Sequence, residues 1–250
     1  MYKFFVKKNQ INNNIVEIEG EDVNHIKNVL RIGIDEQIEV CNLDDTYNYL
    51  CKIIQLDNKC IRCQIIDKLD SQSEPKTYLH IFQGIPKAEK MEAIIQKTTE
   101  IGVNEITPVL MNRCVVKLDD KGIDKKIIRW QKIAEVAAKQ SKRDKIPIIN
   151  YPINIKNIYE KIANYDIVLV AYENEENYTI KDALKEIKNG SSLKIAVIVG
   201  PEGGIAENEI ECLKTFANTK IVTLGKRILR TETAPITIAS VIMYEFDEMI

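Results

Sequence analysis

From residue 78 onward, short apolar runs alternate with amphipathic segments, and this alternation constrains the fold more than any other feature of the chain. It predicts an α/β fold with a mostly parallel sheet covered by helices, because parallel strands need long crossover connections. The predicted strands are runs rich in β-branched residues: Tyr78–Gln83, Glu105–Leu110, Ile146–Asn150, Ile167–Tyr172, Lys194–Val199 and Lys220–Leu224. The predicted helices carry apolar residues at helical spacing: Ala88–Ile101, Asp124–Gln140, Ile155–Asn164, Thr179–Lys188, Glu207–Ala217 and Ala234–Glu248. The last of these is apolar around most of its circumference, so we expect it to be buried in the core or against another subunit.

The chain before the polar segment Ser71–Lys76 has a different pattern. A single helix, Glu21–Leu30, is predicted there among short strands, and this combination favours a small β-barrel. The predicted strands are Lys3–Val6, Ile15–Glu19, Gln37–Cys41, Tyr47–Leu56 and Cys60–Ile66. Ser71–Lys76 contains a proline and is typical of a linker. We therefore predict two domains, over residues 1–72 and 73–250.

Composition limits the class of protein. The chain of 250 residues is 45% hydrophobic and 29% charged, which is typical of a globular protein. Its N-terminal residues Met1–Val6 become polar too soon for a signal peptide, and no apolar run approaches the roughly 20 residues of a membrane span. We expect a soluble, cytoplasmic protein.

The six cysteines do not suggest a metal centre. Cys60 and Cys63 have a suggestive spacing, but a zinc ribbon needs a second such pair. The strand predicted around them would also place the two thiols on opposite faces of the sheet. We expect reduced thiols and no metal.

Positive charge is concentrated in one stretch of the chain and is not a property of the chain as a whole. The formal net charge is −2, so the whole chain creates no field that would attract nucleic acid. Residues 117–145, however, contain ten Lys or Arg against five Asp or Glu. The segment Gln140–Arg143 ends this stretch with amide, hydroxyl and guanidinium groups that suit RNA phosphates and base edges. A solvated helix face explains the charge alone equally well.

Two loops at predicted strand ends carry the strongest functional signal. The apolar run Ile195–Val199 ends in Gly200-Pro201-Glu202-Gly203-Gly204, where three glycines permit a sharp turn and close approach of a ligand to the backbone. The carboxyl ends of parallel strands are where open α/β sheets bind ligands. The loop matches neither a dinucleotide fingerprint nor a phosphate-binding loop. A plain strand-to-helix turn is the alternative.

The second loop runs from Leu224 to Ala234 with the sequence LGKRILRTETA. It has three basic residues and one acid, Glu232, and it ends where the last helix begins. Thr231 or Thr233 could cap that helix. A helix N-terminus flanked by arginines suits an anionic group or negative charge that develops on a base. Helix capping beside surface arginines is the alternative.

These two loops resemble those of the ribosomal RNA small subunit methyltransferase E family, uridine-N3-specific enzymes of the SPOUT superfamily. The resemblance extends to Asn28–Arg31, Gln96–Val103 and Gln140–Arg143, so it covers most of the chain. The departures are Lys3, where the family usually has arginine, and Lys139, where an acidic or neutral residue is common.

The resemblance implies an N-terminal PUA-like β-barrel that binds RNA and a C-terminal domain with a trefoil knot. It also implies a homodimer, S-adenosyl-L-methionine as cofactor, and 3-methyluridine in small-subunit ribosomal RNA as product. The implied cofactor-binding residues are Tyr172, Glu173, Gly200, Pro201, Glu202, Gly203, Leu224, Gly225, Ile228, Leu229 and Thr233. The implied RNA-binding residues are Lys3, Arg31, Arg113, Gln140, Ser141 and Arg143.

The chemistry of this transfer assigns further roles. Uridine N3 becomes a good nucleophile only after it loses its proton, so the enzyme must position the methyl donor and favour the deprotonated ring. Arg230 is the candidate for stabilising negative charge on the uracil oxygens. Glu232 is a candidate general base, although water or the RNA could serve instead, and Glu202 could pair with the sulfonium. Two other functions remain open: a non-catalytic RNA-binding assembly factor, and an enzyme acting on small molecules with a nucleotide cofactor.

Overall fold

The computed structural model describes residues 1–43, 47–71, 73–116, 120–187 and 192–249. Gln72 of the predicted linker, Lys117 of the basic stretch and Lys188 at the end of a predicted helix lie outside these residues. The chain forms two compact units. The first comprises Met1–Glu74 and Lys142–Lys145, and the second comprises Pro75–Ser141 and Ile146–Ile250.

The described residues of the first unit form a six-stranded sheet. Its strands are β1 (Lys3–Val6), β2 (Ile11–Asn12), β3 (Ile15–Glu19), β4 (Gln37–Asn42), β5 (Tyr47–Leu56) and β6 (Cys60–Asp70). Their order across the sheet is β1-β4-β5-β6-β3-β2. All pairs are antiparallel except β1 with β4, which is parallel. Alternate residues of these strands enclose a core that includes Phe4, Ile18, Ile38 and Ile61.

The helical segment of the first unit changes from an α-helical to a π-helical turn partway along. Helix α1 (Glu21–Asn24) continues as a π-helical turn over His25–Val29. Arg31 follows with φ 54°, in the left-handed region that non-glycine residues seldom adopt. The segment predicted as one helix is therefore two short turns that end in a sharp change of direction.

Cys60 and Cys63 lie on opposite faces, as predicted. Cys63 pairs with Val16 and is buried in the core, whereas Cys60 pairs with Glu19 and is half-buried. Burial raises the pKa of Cys63 to about 12, so this thiol is inert at neutral pH.

The described residues of the second unit form a seven-stranded sheet in which every pair is parallel. Its strands are β7 (Tyr78–Gly84), β8 (Glu105–Leu110), β9 (Ile148–Ile149), β10 (Ile153–Asn154), β11 (Ile167–Ala171), β12 (Lys194–Val199) and β13 (Thr219–Val222). The order is β10-β8-β7-β12-β11-β13, with β9 also paired to β8. β7, β11 and β12 are buried almost throughout, which is why they appear in the sequence as continuous apolar runs.

Helices connect the strands of the second unit: α2 (Lys90–Ile101), α3 (Asp120–Gln140), α4 (Ile155–Tyr159), α5 (Ile180–Lys185), α6 (Glu207–Lys214) and α7 (Thr233–Glu245). Helix α2 ends at Gly102, whose φ of 111° suits glycine at a helix terminus. One core cluster joins α2, α3 and α7 to one side of the sheet, and a second joins α4 and α6 to β10, β11 and β12. No helix among the described residues is long and apolar enough to cross a membrane.

The last helix is buried on one side only. Ala234, Ile238, Ile242 and Met243 are fully or nearly fully buried, whereas Tyr244 is 74% exposed. The prediction that α7 packs in the core is therefore confirmed for that side of the helix.

Candidate functional site

Both predicted loops lie at the carboxyl edge of the parallel sheet. The first, residues 200–204, follows β12, and the second, residues 224–232, follows β13. β11 lies between these two strands, and β7 lies on the other side of β12. Because all these strands run in the same direction, their carboxyl ends bring the two loops to one edge.

The end of β7 packs directly against the first loop. A Cβ on Gly84 would lie 2.6 Å from both the backbone nitrogen and Cδ of Pro201. It would also lie 2.9 Å from the carbonyl carbon of Gly200. Two of these are backbone atoms and the third belongs to the proline ring, so none of them can rotate away and only glycine fits at this position.

The glycines of the first loop are equally constrained. Gly204 has φ 72°, and a Cβ there would overlap the carboxylate of Glu173. A Cβ on Gly203 would lie 3.0 Å from Cβ of Arg113, whose guanidinium donates to the Gly203 carbonyl at 3.2 Å. The structure therefore places Glu173 and Arg113 against the glycine-rich turn.

A buried amide and a hydroxyl join the two loops. Gln83, the penultimate residue of β7, is fully buried, and Thr231 is 7% exposed. The Gln83 amide nitrogen donates to the Thr231 hydroxyl at 3.1 Å and to the Gly84 carbonyl at 2.9 Å. The Thr231 hydroxyl in turn donates to the Gly200 carbonyl at 2.8 Å. Thr231 therefore bonds to the first loop instead of capping α7.

The prediction of a threonine cap for α7 is wrong. Glu232 occupies the N-cap position and makes no capping hydrogen bond with its side chain. Thr233 is the first residue of the helix and is exposed. Backbone bonds from Thr233 and Ala234 to the Arg230 carbonyl close the first turn instead.

Lys90 links the two acidic residues of the loops. Its ammonium lies 3.0 Å from Oε1 of Glu202 and 3.3 Å from Oε2 of Glu232. The backbone N–H of Lys87 also donates to Glu202, at 3.0 Å. Burial raises the pKa of Glu202, but these hydrogen bonds outweigh it and hold the pKa below its ordinary value. Two carboxylates and one ammonium leave an excess of one negative charge here, which suits a cationic ligand.

The second loop exposes its basic and apolar side chains. The Arg230 side chain is exposed and makes no hydrogen bond or ion pair within the described part of the chain. Ile228 is 88% exposed, whereas Leu224 and Leu229 pack on the core. Gly225 has φ 101°, and a Cβ there would meet nothing within 4 Å, so its backbone faces open space.

Tyr172 and Glu173 follow β11 and complete the same edge. The Tyr172 N–H bonds to the Val222 carbonyl at 3.1 Å, and its side chain is half-buried. The structure therefore gathers the predicted cofactor-binding residues of three strand ends into one region.

The predicted RNA-binding residues divide into two groups. Arg31, Arg113 and Gln140 are exposed, and Ser141 is half-buried with its hydroxyl bonded to the Ala137 carbonyl at 2.8 Å. These side chains occupy positions that RNA could reach.

Lys3 and Arg143, by contrast, are buried within the first unit. Arg143 is 3% exposed and binds Glu74 through two nitrogens, at 2.6 and 3.2 Å. The Lys3 ammonium bonds to Asp144 and lies 3.1 Å from Glu39. Both charges are neutralised inside the protein, so the prediction that these side chains contact RNA does not fit the structure.

The sequence did not predict two residues of this site, Gln83 and Lys90, or the hydrogen bonds that Thr231 makes. A polar glutamine at the end of the apolar run Tyr78–Gln83 is the one signal that the sequence offered. Its partners in the two loops, Gly200 and Thr231, lie more than a hundred residues further along the chain, so no local pattern predicts them.

Comparison with known proteins agrees with this fold. The family model for the RNA methyltransferase domain matches residues 73–243, and the model for the RNA methyltransferase PUA domain matches residues 18–66. The chain therefore belongs to the RNA methyltransferases that combine these two domains.

Its relatives narrow this class. The chain is 38% identical to ribosomal RNA small subunit methyltransferase E of Bacillus subtilis over 91% of its length and 89% of that protein's. It is 36% identical to the protein of that name from Mesomycoplasma hyopneumoniae, over 94% and 96%. The chain is a member of the ribosomal RNA small subunit methyltransferase E family.

Solved structures of related proteins have a similar fold. The family's protein from Neisseria gonorrhoeae, crystallised bound to S-adenosyl methionine, matches with a TM-score of 0.85 at 28% identity, over 98% of this chain and 97% of that one. A methyltransferase from Legionella pneumophila, in complex with the same cofactor, matches with a TM-score of 0.84 at 29% identity, over 97% of each chain.

Proposed function

We propose that this protein transfers the methyl group of S-adenosyl-L-methionine to N3 of a uridine in small-subunit ribosomal RNA. The observation that carries the proposal is the pair of loops bonded together at the carboxyl edge of the sheet, with Arg230 free beside them. The names and bound cofactor of the relatives support the substrate and the methyl donor. The action of such an enzyme on ribosomal RNA places it in the cytoplasm.

The residues at this edge fit the cofactor. The sulfonium of S-adenosyl-L-methionine makes its methyl group reactive towards a nucleophile. Main-chain groups of Gly203, Gly225 and Leu224 would hold the adenosine part, because no side chain covers the Gly225 backbone. Further contacts would come from Tyr172, Glu173, Pro201, Ile228, Leu229 and Thr233, and from atoms of Gly200 other than its carbonyl oxygen. Glu202 contributes to the excess negative charge that favours a sulfonium.

Arg230 and Glu232 would act on the uracil ring. An unpaired guanidinium can stabilise negative charge on the uracil oxygens once N3 has lost its proton. Glu232 lies two residues away and would accept that proton, or would order a water molecule that does. The Lys90 ammonium lies 3.3 Å from Glu232 and would help to hold this carboxylate in position.

The test of this role replaces Arg230 with alanine. We expect about a hundredfold or greater loss of methylation rate with little change in cofactor affinity, as for removal of one preorganised donor. Arg227→Ala, an exposed arginine of the same loop, is the matched control. Equal rates for Arg230→Ala and wild type would refute the assignment.

RNA contacts are proposed for Arg31, Arg113, Gln140 and Ser141. Each lost phosphate contact lowers the salt dependence of binding by about one in the log–log slope. Arg31→Glu should therefore weaken RNA binding and reduce this slope, whereas Lys181→Glu, at an exposed position of α5, should not. An unchanged slope for Arg31→Glu would remove this residue from the interface.

Three structural features belong to the same proposal. The domains are placed at residues 1–72 and 73–250, the first being the RNA-binding PUA-like barrel. The chain of the second is expected to form a trefoil knot.

A homodimer is expected through the exposed side of α7, where Tyr244 and Val241 face outward. Sedimentation of a Tyr244→Glu variant tests the dimer, which should dissociate.

A non-catalytic assembly factor of the same fold is the rival function. It predicts no binding of S-adenosyl-L-methionine, and calorimetry measures this directly. Mass-spectrometric mapping of ribosomal RNA from cells that lack this gene tests substrate and site together. Loss of one 3-methyluridine is the expected result, and an unchanged RNA would refute the proposal.

A further inference from the structure

We infer that Gln83 and Thr231 form a polar clamp that sets the separation of the two loops and so positions them for catalysis. The inference rests on the proposed function, since the loops matter only if they hold the cofactor and the target base. Neither residue would touch a substrate; each would act through the loops that it joins.

The direction of the hydrogen bonds is fixed by the chemistry of the groups. A threonine hydroxyl has one proton, and Thr231 directs it to the Gly200 carbonyl at 2.8 Å. Its oxygen can then only accept from Gln83, whose amide nitrogen lies 3.1 Å away. The bonds run from β7 to the second loop and from there to the first loop. A valine at position 231 would interrupt both steps at once.

The same geometry changes the role predicted for Gly200. Its carbonyl accepts from Thr231, and the Gln83 amide nitrogen lies 3.4 Å away on the same oxygen. Both acceptor positions of this carbonyl therefore face donors of the protein itself. The Gly200 carbonyl holds the loop in place and is not available to bind the cofactor.

An unpaired oxygen of Gln83 indicates that the clamp contributes to function more than to the stability of the fold. Its Oε1 is buried and has no hydrogen-bond partner among the described residues. A buried, unpaired acceptor destabilises a fold, and an apolar side chain of similar shape would avoid this penalty. The amide is nonetheless present where its nitrogen reaches three acceptors on two loops and a strand end.

Four variants distinguish a positioning role from a contribution to stability alone. Thr231→Val keeps the shape and loses the hydroxyl, whereas Thr231→Ser keeps the hydroxyl. Thr98→Val is the matched control, because Thr98 is also fully buried and its hydroxyl donates to the Ile94 carbonyl within α2. Gln83→Met removes both the donors and the unpaired oxygen.

The first readout is amide hydrogen exchange of residues 200–205 without any ligand. We expect exchange to rise about tenfold in Thr231→Val, the effect of one lost hydrogen bond, and to stay near wild type in Thr231→Ser and Thr98→Val. Unchanged exchange in Thr231→Val would overturn the clamp, whatever the protein's activity.

The second readout is calorimetric affinity for S-adenosyl-L-methionine together with the methylation rate. We expect Thr231→Val and Gln83→Met to lose about tenfold in affinity and further in rate, while the melting temperature of Gln83→Met stays at or above that of wild type. Normal affinity and rate in both variants would refute the positioning role. If wild type binds no cofactor, the proposed function fails and the positioning role fails with it, but the exchange result still decides whether the clamp exists.

Discussion

A buried histidine in the first half of β7 leads to a prediction about how the stability of the protein depends on pH. His80 is 2% exposed, and its ring stacks on Phe82. Its Nδ1 lies 2.5 Å from the Tyr165 hydroxyl, and its Nε2 lies 2.7 Å from the Thr107 hydroxyl. Burial lowers the pKa of His80 to about 4, since the charge of Glu105 offsets the desolvation only in part.

Comparing the folded and unfolded chains shows in which direction stability changes with pH. The unfolded chain binds a proton at its histidine near pH 6.5, whereas the folded chain keeps His80 neutral down to about pH 4. Full stability is therefore present above about pH 6.5 and is lost as the pH falls towards 4. A difference of roughly 2.5 pKa units corresponds to about 3 kcal/mol in total, of which about 2 kcal/mol is lost by pH 5.

Urea unfolding at pH 7.5 and pH 5.0 measures this loss. The variant His80→Gln retains hydrogen-bonding groups but does not titrate, so its free energy of unfolding should fall by about 2 kcal/mol less than that of wild type. The exposed His25 supplies the control, because the same substitution there leaves the buried ring in place. Equal pH dependence in wild type and His80→Gln would refute the reasoning.

Three further predictions concern other parts of the chain. Lys90→Met removes the ammonium between Glu202 and Glu232, and the pKa of Glu202 should rise because its hydrogen bond from Lys90 is lost; NMR titration of the Glu202 carboxyl measures this, and an unchanged pKa would contradict the pairing. Ile238→Ala removes a fully buried side chain of α7 and should lower the free energy of unfolding by about 2–5 kcal/mol in urea titrations. Asp144→Ala removes one of the two carboxylates beside the Lys3 ammonium and leaves the donors of Asn48 and Ser71 without this acceptor, so it should destabilise the first unit by about 1–3 kcal/mol, measured in the same way.

The sequence predicted the elements of both units better than their arrangement. Strands such as Lys194–Val199 are continuous apolar runs, and burial on both faces makes them easy to find. β9 is shorter than the predicted Ile146–Asn150, because Pro147 and Pro152 flank it and cannot donate to a strand ladder. Strand order depends on packing between distant segments, so periodicity could not provide it.

The loops of the site could be predicted from the sequence, but the side chains that hold these loops together could not. Glycines and arginines at strand ends are local signals, and the structure brings them together as expected. Gln83 and Lys90 act through partners more than a hundred residues away, so their roles become visible only in the folded chain. Lys3 and Arg143 were expected to contact RNA because of the family resemblance and their charge, but neither reveals whether a buried carboxylate already neutralises that charge.

The order of strands in the second unit also bears on how the chain is made on the ribosome. β7 occupies the middle of its sheet, yet its neighbour β12 is synthesised only after α2, α3, α4 and α5. At roughly 5–20 residues per second, one edge of an apolar strand waits several seconds for its partner. A nascent chain halted before Lys194 would expose that edge, and we expect such fragments to need chaperones or to aggregate.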